Sequence, residues 1–225
     1  MISLEKDVVD RVVAALPLPI KRMLRMSGLF LAGGFIRSIV EGEVPKDVDI
    51  WVPSREEGVH WARLLGGALR RGSFATPNAI TISFPDTAIQ FITRWTFSDP
   101  VTLISSFDFT IAQAVVWFDK VEGKWRGMCA ETFLEDVGGK RLVYKSPVRE
   151  EDAAGSLLRV NKFVARGYTI SDEDMGRVAA RVVKGVVKER DEAFSFSVGL
   201  QREFDVERAT VKMVRGARPQ GGSSV

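Results

Sequence analysis

Residues 31–52 read Leu31-Ala-Gly-Gly-Phe-Ile-Arg-Ser-Ile-Val-Glu-Gly-Glu-Val-Pro-Lys-Asp-Val-Asp-Ile-Trp-Val52, and the rest of the fold is arranged around them. They open at the end of a short apolar run, Gly28 to Ala32, which reads as a buried strand closing on a tight Gly33-Gly34 turn. Phe35 to Val40 reads as a short helix, and Asp47 to Val52 alternates polar with apolar residues, the period of a half-buried strand. Side chains alternate along a strand, so Asp47 and Asp49 project to one face, about 7 Å apart at their Cα atoms. Val48, Ile50 and Val52 then face the core. Two carboxylates held side by side repel unless a cation lies between them. A hard divalent ion suits that position, and Mg2+ takes one or two carboxylates together with phosphate oxygens from a substrate.

A nucleoside triphosphate supplies such oxygens, and the Gly33-Gly34 turn has a matching property. Glycines at a strand-to-helix turn let backbone N–H groups approach a phosphate, and the helix N-terminus that follows favours negative charge. Arg37, one turn into the helix, is in reach of the same anion by spacing.

Working outward, Leu4 to Met26 carries Val8, Val9, Val12, Val13 and Leu16 at helical spacing, broken at Pro17 and Pro19. Ser54 with Glu57 forms a capping box for a helix whose apolar residues are Val59, Leu64, Leu65, Ala68 and Leu69. Ala79–Phe84 and Thr87–Thr93 read as a hairpin turning at Pro85-Asp86, and Ser98-Asp99-Pro100 as a capped helix start. Phe107 to Phe118 returns to the sheet in its second half, and Trp125–Cys129 and Arg141–Lys145 read as further short strands. After about Pro147 the pattern turns helical: Glu150 to Arg166, with Gly167 at its end, then a helix capped by Ser171 with acids first and bases last. The layout is an α+β head over residues 1–147, a helical neck-like region over 148–200, and a Gly/Ser/Pro/Arg-rich tail over 201–225.

Composition narrows the chemistry. In 225 residues, 45% hydrophobic and 27% charged, there is one cysteine, Cys129, and one histidine, His60. That excludes a disulfide framework, a Cys-rich zinc site and a His cluster, and leaves the 29 carboxylates as the chemical resource. The net charge of +3 permits a polyanionic partner without demanding one. No run approaches a membrane span, and the acidic N-terminus lacks the apolar core of a secretory signal, so a cytoplasmic setting is expected.

The ordered set of strand, Gly-Gly, Arg three residues on, and Asp-x-Asp on the next strand resembles the nucleotidyltransferases of the DNA polymerase beta superfamily. The likeness is to the catalytic head of CCA-adding enzymes and poly(A) polymerases. Gly33, Gly34, Arg37, Asp47 and Asp49 match the family's Gly-Gly-x-x-Arg-Asp turn and Asp-x-Asp strand. Phe107-Asp108-Phe109-Thr110-Ile111-Ala112 echoes its second block, and Glu151-Asp152 with Leu158 to Tyr168 echoes its third. The sequence departs from the family at Ser38, Phe107 and Ala112, and the long tRNA-holding body and tail do not follow the third block. Small phage-encoded relatives of this head have a similar build, and a phage origin would make the host cytoplasm the setting.

The resemblance implies two metal ions, Mg2+ or Mn2+, held by three carboxylates: Asp47, Asp49 and, from the second block, Asp108. Asp86 competes for that role, and Gln90, inside the neighbouring strand, is a poor substitute for a charged ligand. Arg159, Lys162 and Arg166 lie at i, i+3, i+7, a basic stripe that reads equally as a triphosphate or nucleic-acid contact and as a solvated face; Arg159 and Lys162 are the candidates for the nucleotide. Arg94-Trp95 could stack on a base, although edge-of-core packing suits Trp95 better; Lys212, Arg215 and Arg218 could bind nucleic acid loosely, and His60 beside Trp61 carries no assigned chemistry. The expected activity is transfer of a nucleoside monophosphate from an NTP to an acceptor hydroxyl, by family analogy an RNA 3′ end. Modification of a protein or small molecule, and a degenerate head kept for binding, stay open beside it.

Overall fold

The computed structural model describes residues 1–84, 87–145 and 154–189. In chain order the elements are β1 (Ile2–Ser3), α1 (Lys6–Ala15), α2 (Leu18–Ser27), β2 (Phe30–Ala32), α3 (Gly34–Glu41), β3 (Asp47–Trp51), α4 (Arg55–Leu69), β4 (Phe74–Ala75), β5 (Ala79–Ser83) and β6 (Ala88–Ile92). There follow α5 (Pro100–Ser105), a 3₁₀ turn (Thr110–Ala112), β7 (Ala114–Asp119), β8 (Lys124–Cys129), α6 (Phe133–Gly138), β9 (Arg141–Leu142), α7 (Gly155–Val164), β10 (Thr169–Ile170) and α8 (Asp172–Glu189). The hairpin tip Pro85-Asp86, the boundary at 147, Glu151-Asp152 and the tail with Lys212, Arg215 and Arg218 lie outside the described residues.

Eight strands form one mixed sheet in the order β1-β8-β7-β2-β3-β6-β5-β4. β3 runs parallel to β6, with Asp47 opposite Ala88 and Asp49 opposite Gln90, and antiparallel to β2. One sheet face carries Leu31, Val48, Ile50, Ile89, Phe91 and Val116 into the main core against α1, α2, α3 and α4. The opposite face carries a smaller core, Phe30, Ala32, Trp51 and Val115, covered on the β7–β8 side by Leu103 and Ile104 of α5. The polar residues of β3 therefore lie at the border of this second core.

Local sequence accounts for most helix ends. Ser54 Oγ accepts from Glu57 N at 3.1 Å and Asp99 Oδ1 from Thr102 N at 2.8 Å, so α4 and α5 start on side-chain caps. α1 and α2 part at Pro17, and Gly28 closes α2 in the left-handed region at φ 72°. On α4 the buried residues are Gly58, Ala62, Leu65 and Gly66, while Leu64 is 52% exposed and Ala68 is exposed as well. Both were expected inside; at 100° per residue they fall off the face that 58, 62 and 65 define. Phe107–Ala112 is a bend and a 3₁₀ turn, and of Arg141–Lys145 only Arg141–Leu142 joins a ladder, parallel to β10.

Candidate active site

The strand β3 sets the Asp pair. Val48 and Ile50 are 3% and 0% exposed in the main core, so alternation forces Asp47 and Asp49 to the other face, where Asp47 is exposed and Asp49 half-buried. Burial, and then the charge of Asp47, push the Asp49 carboxyl up to about 7, against the opposing pull of Lys162. Asp47 is also raised, by burial, with Lys162 and Lys46 pulling the other way. The pair thus carries less negative charge than two free aspartates. Lys162, on α7, is an exposed cation acting on both carboxylates.

The Gly-Gly turn divides its labour. Gly33 has φ 83°, which only glycine adopts without strain, and its N–H donates to Ala114 O at 3.1 Å, so that group serves the sheet. Gly34 is different. It is the first residue of α3, and a Cβ built there meets nothing within 4 Å. No side chain caps α3, which leaves the amides of its first turn without a side-chain acceptor among the described residues.

Two expectations are revised by the placement of side chains. Arg37 is 6% exposed: its Nε lies 3.5 Å from Glu41 Oε2, its Nη2 donates to Ser38 Oγ at 3.3 Å, and its guanidinium stacks on Phe163 at 4.8 Å. Its i,i+4 partner on the same helix draws it into the packing of α3 against α7, so it is a buried joint and not an open anion ligand. Tyr168 completes the joint by donating to the other Glu41 oxygen at 2.6 Å.

Asp108 is the second revision. Its carboxylate is 1% exposed and accepts from Ser156 Oγ at 2.9 Å and Arg159 Nη1 at 2.6 Å, both on α7. Among the described residues no three carboxylate, cysteine or histidine side chains form a group fit for a metal, so Asp108 does not join Asp47 and Asp49 in one cluster. The bend at Asp108 itself turns its carboxylate toward α7. Phe107 itself packs its ring 5.3 Å from Trp51 and forms the floor under Gly33. The basic stripe separates into three tasks: Arg159 on Asp108, Lys162 on the Asp pair, and Arg166 over the Phe163 ring at 5.8 Å. Sequence reasoning missed Ser156, Glu41 and Tyr168; the Arg37–Glu41 spacing was the only signal for any of them. Asp136, which accepts from Thr110 Oγ1 at 2.7 Å and Thr132 Oγ1 at 2.6 Å, was also missed and is structural.

The α+β sheet with its Gly-Gly strand-to-helix turn and paired aspartates on the adjoining strand is similar in fold to the nucleotidyltransferase heads of known structures. The chain is similar to the Thermotoga maritima CCA-adding enzyme complexed with tRNA (TM-score 0.61, 15% identity, 84% of this chain and 48% of that one). It is similar to a CCA-adding enzyme with ATP (0.60, 15%, 84% and 48%) and to a tRNA nucleotidyltransferase complexed with a primer tRNA and an incoming ATP analog (0.54, 18%, 75% and 51%). The chain thus spans about half the length of these structures. Residues 4–140 match the model of the Gabija anti-defense 2 family, and the chain belongs to that family. No curated protein matches it. No helix among the described residues is long and apolar enough to cross a membrane.

Proposed function

We propose that the protein is a divalent-metal-dependent nucleotidyltransferase that moves a nucleoside monophosphate from an NTP to an acceptor hydroxyl, with an RNA 3′ end as the favoured acceptor. The observation that supports this reading is the pair Asp47 and Asp49 on one face of β3, both raised by burial and Asp49 also by the charge of Asp47, with Lys162 of α7 acting on both. Asp47 and Asp49 would hold Mg2+ or Mn2+, and the set fits: two carboxylates plus substrate phosphate oxygens suit one hard cation. The second ion implied by the family resemblance has no third carboxylate in this cluster among the described residues. Bound, the metal would supply charge neutralisation and activation of the attacking hydroxyl. The acceptor oxygen bonds to the α-phosphorus, the bridge to the β-phosphate breaks, and pyrophosphate leaves. Lys162 and the uncapped first turn of α3 behind Gly34 contact the triphosphate.

A second reading has one observation in its favour. The family is described by anti-defence against Gabija, so a protein component of such a system is an alternative acceptor. Incubating the protein with each labelled NTP, Mg2+, bulk RNA and a host lysate, then separating the products on a gel, decides between them. Labelled RNA supports the favoured acceptor and labelled protein the second reading. NTP binding with no transfer would overturn the enzyme.

A further inference from the structure

Hydrogen-bond register extends the Asp49 position into a track across the sheet. Asp49 pairs with Gln90 on β6, Gln90 with Thr81 on β5, and Thr81 with Phe74 on β4. Cross-strand partners share a face, so these four side chains line one row on the face away from the main core, about 14 Å long at ordinary strand spacing. A second row, Asp47, Ala88 and Ser83, runs beside it. α5 covers this face at β7 and β8, on the other side of β3. Thr81 is buried under its neighbours, Gln90 is half-buried, Ser83 is exposed, and Phe74 is 47% exposed on the edge strand. Along one side Trp95 packs on the second core with the exposed Arg94 stacked 4.4 Å above its ring. Lys46, also exposed, lies at the Asp47 end, where it acts on that carboxylate.

The half-buried Gln90 amide, the exposed Ser83 hydroxyl in the neighbouring row, an exposed aromatic at the far end and cations at the margins match the demands of single-stranded nucleic acid: stacking for bases, hydrogen bonds for their edges, and positive charge for the backbone. A large exposed ring on an edge strand is otherwise a liability for a sheet. Resting on the nucleotidyltransferase reading above, we propose that the acceptor is a single-stranded RNA end laid across β6, β5 and β4. Its terminal hydroxyl lies at Asp49, its last nucleotide contacts Gln90, an upstream base stacks on Phe74, and Arg94 serves the backbone.

Fluorescence anisotropy with a labelled single-stranded RNA oligonucleotide tests this on the full chain. Phe74→Ala should weaken RNA binding about five- to a hundredfold, the range for loss of one stacked base, and Phe74→Trp should restore it. Gln90→Ala should weaken it less, and Arg94→Gln should flatten its salt dependence. None of these variants should change the thermal shift produced by Mg2+ with NTP. Failure of the parent to bind RNA, or unchanged affinity in both Phe74→Ala and Gln90→Ala, would overturn the track. So would losses that follow loss of folding in those variants, or labelling of protein alone. The underlying reading fails separately, if Asp47→Asn with Asp49→Asn leaves the Mg2+–NTP shift intact.

Discussion

Gly34 begins α3 with open space where a side chain would be. A glycine inside a helix costs roughly 0.5–1 kcal/mol against alanine, and its backbone here requires nothing that alanine could not adopt. The fold therefore gains nothing from Gly34, whereas a triphosphate approaching the uncapped first turn would need that space. Gly34→Ala should leave the melting temperature equal or higher while raising the KM for NTP about tenfold; a stabilised variant with unaltered KM would reduce the turn to a plain turn. The Asp pair makes the complementary case. Replacing two repelling carboxylates should not harm the metal-free protein, so Asp47→Asn with Asp49→Asn should keep or raise its melting temperature in chelator. The same variant should lose transfer and the added stability from Mg2+ with NTP, because linkage rewards only a state that binds. Differential scanning fluorimetry with and without Mg2+–NTP reads both effects at once.

α7 reaches the head through three polar joints: Ser156 and Arg159 on Asp108, Phe163 under Arg37, and, just beyond its end, Tyr168 on Glu41. These joints hold Lys162 over the Asp pair, so Asp108 acts on the site through the helix it anchors. The pair is asymmetric, with Asp108 2% and Arg159 35% exposed at their side chains. Arg159→Met leaves a buried carboxylate without the cation bonded to it and should cost roughly 3–5 kcal/mol, whereas Asp108→Asn leaves a neutral amide against a part-exposed arginine, and should cost less. Both should raise the KM for NTP, as Lys162→Ala should do without lowering the melting temperature; equal destabilisation by the two would show that the pair is not buried. Elements of this kind mark the limit of sequence reading. β2, α3 and β3 were legible because glycine turns and period-2 patterns are local. The two-residue strands β1, β4 and β10 were not, since so short a run has no period and exists only through its partner, and β9 was read as part of a longer strand, Arg141–Lys145. The direction of Asp108 was hidden for a related reason: a bend at Asp108 itself and a serine 48 residues on decide it. Gln90 was discounted for its chemistry, and only register revealed its position opposite Asp49.

At the scale of the molecule, one sheet separates two environments, and the site falls at the edge of the second core, where a basic chain of net charge +3 sets two carboxylates side by side. That arrangement makes stability depend on pH in a definite sense. The Asp49 carboxyl has an ordinary value of 3.8 and is raised to about 7 in the folded protein, so the native state binds its proton more tightly than the unfolded chain does. Its favourable contribution is complete below pH about 4 and is lost as pH rises through 7. Asp47 is shifted in the same direction and adds to the trend, while Lys162 and Lys46, the cations acting on the pair, moderate it without reversing it. Allowing for partial solvent access at Asp49, the loss should be about 2 kcal/mol, or roughly 4–8 °C in melting temperature for a chain of this size. Metal-free protein should therefore melt lower at pH 8 than at pH 5. Asp49→Asn should remove most of that difference, and saturating Mg2+ should offset it at pH 8, since a metal binds the deprotonated pair. A parent and an Asp49→Asn variant with the same pH dependence in chelator would show that the pair is relieved by solvent, and the electrostatic basis for a cation at Asp47 and Asp49 would be gone.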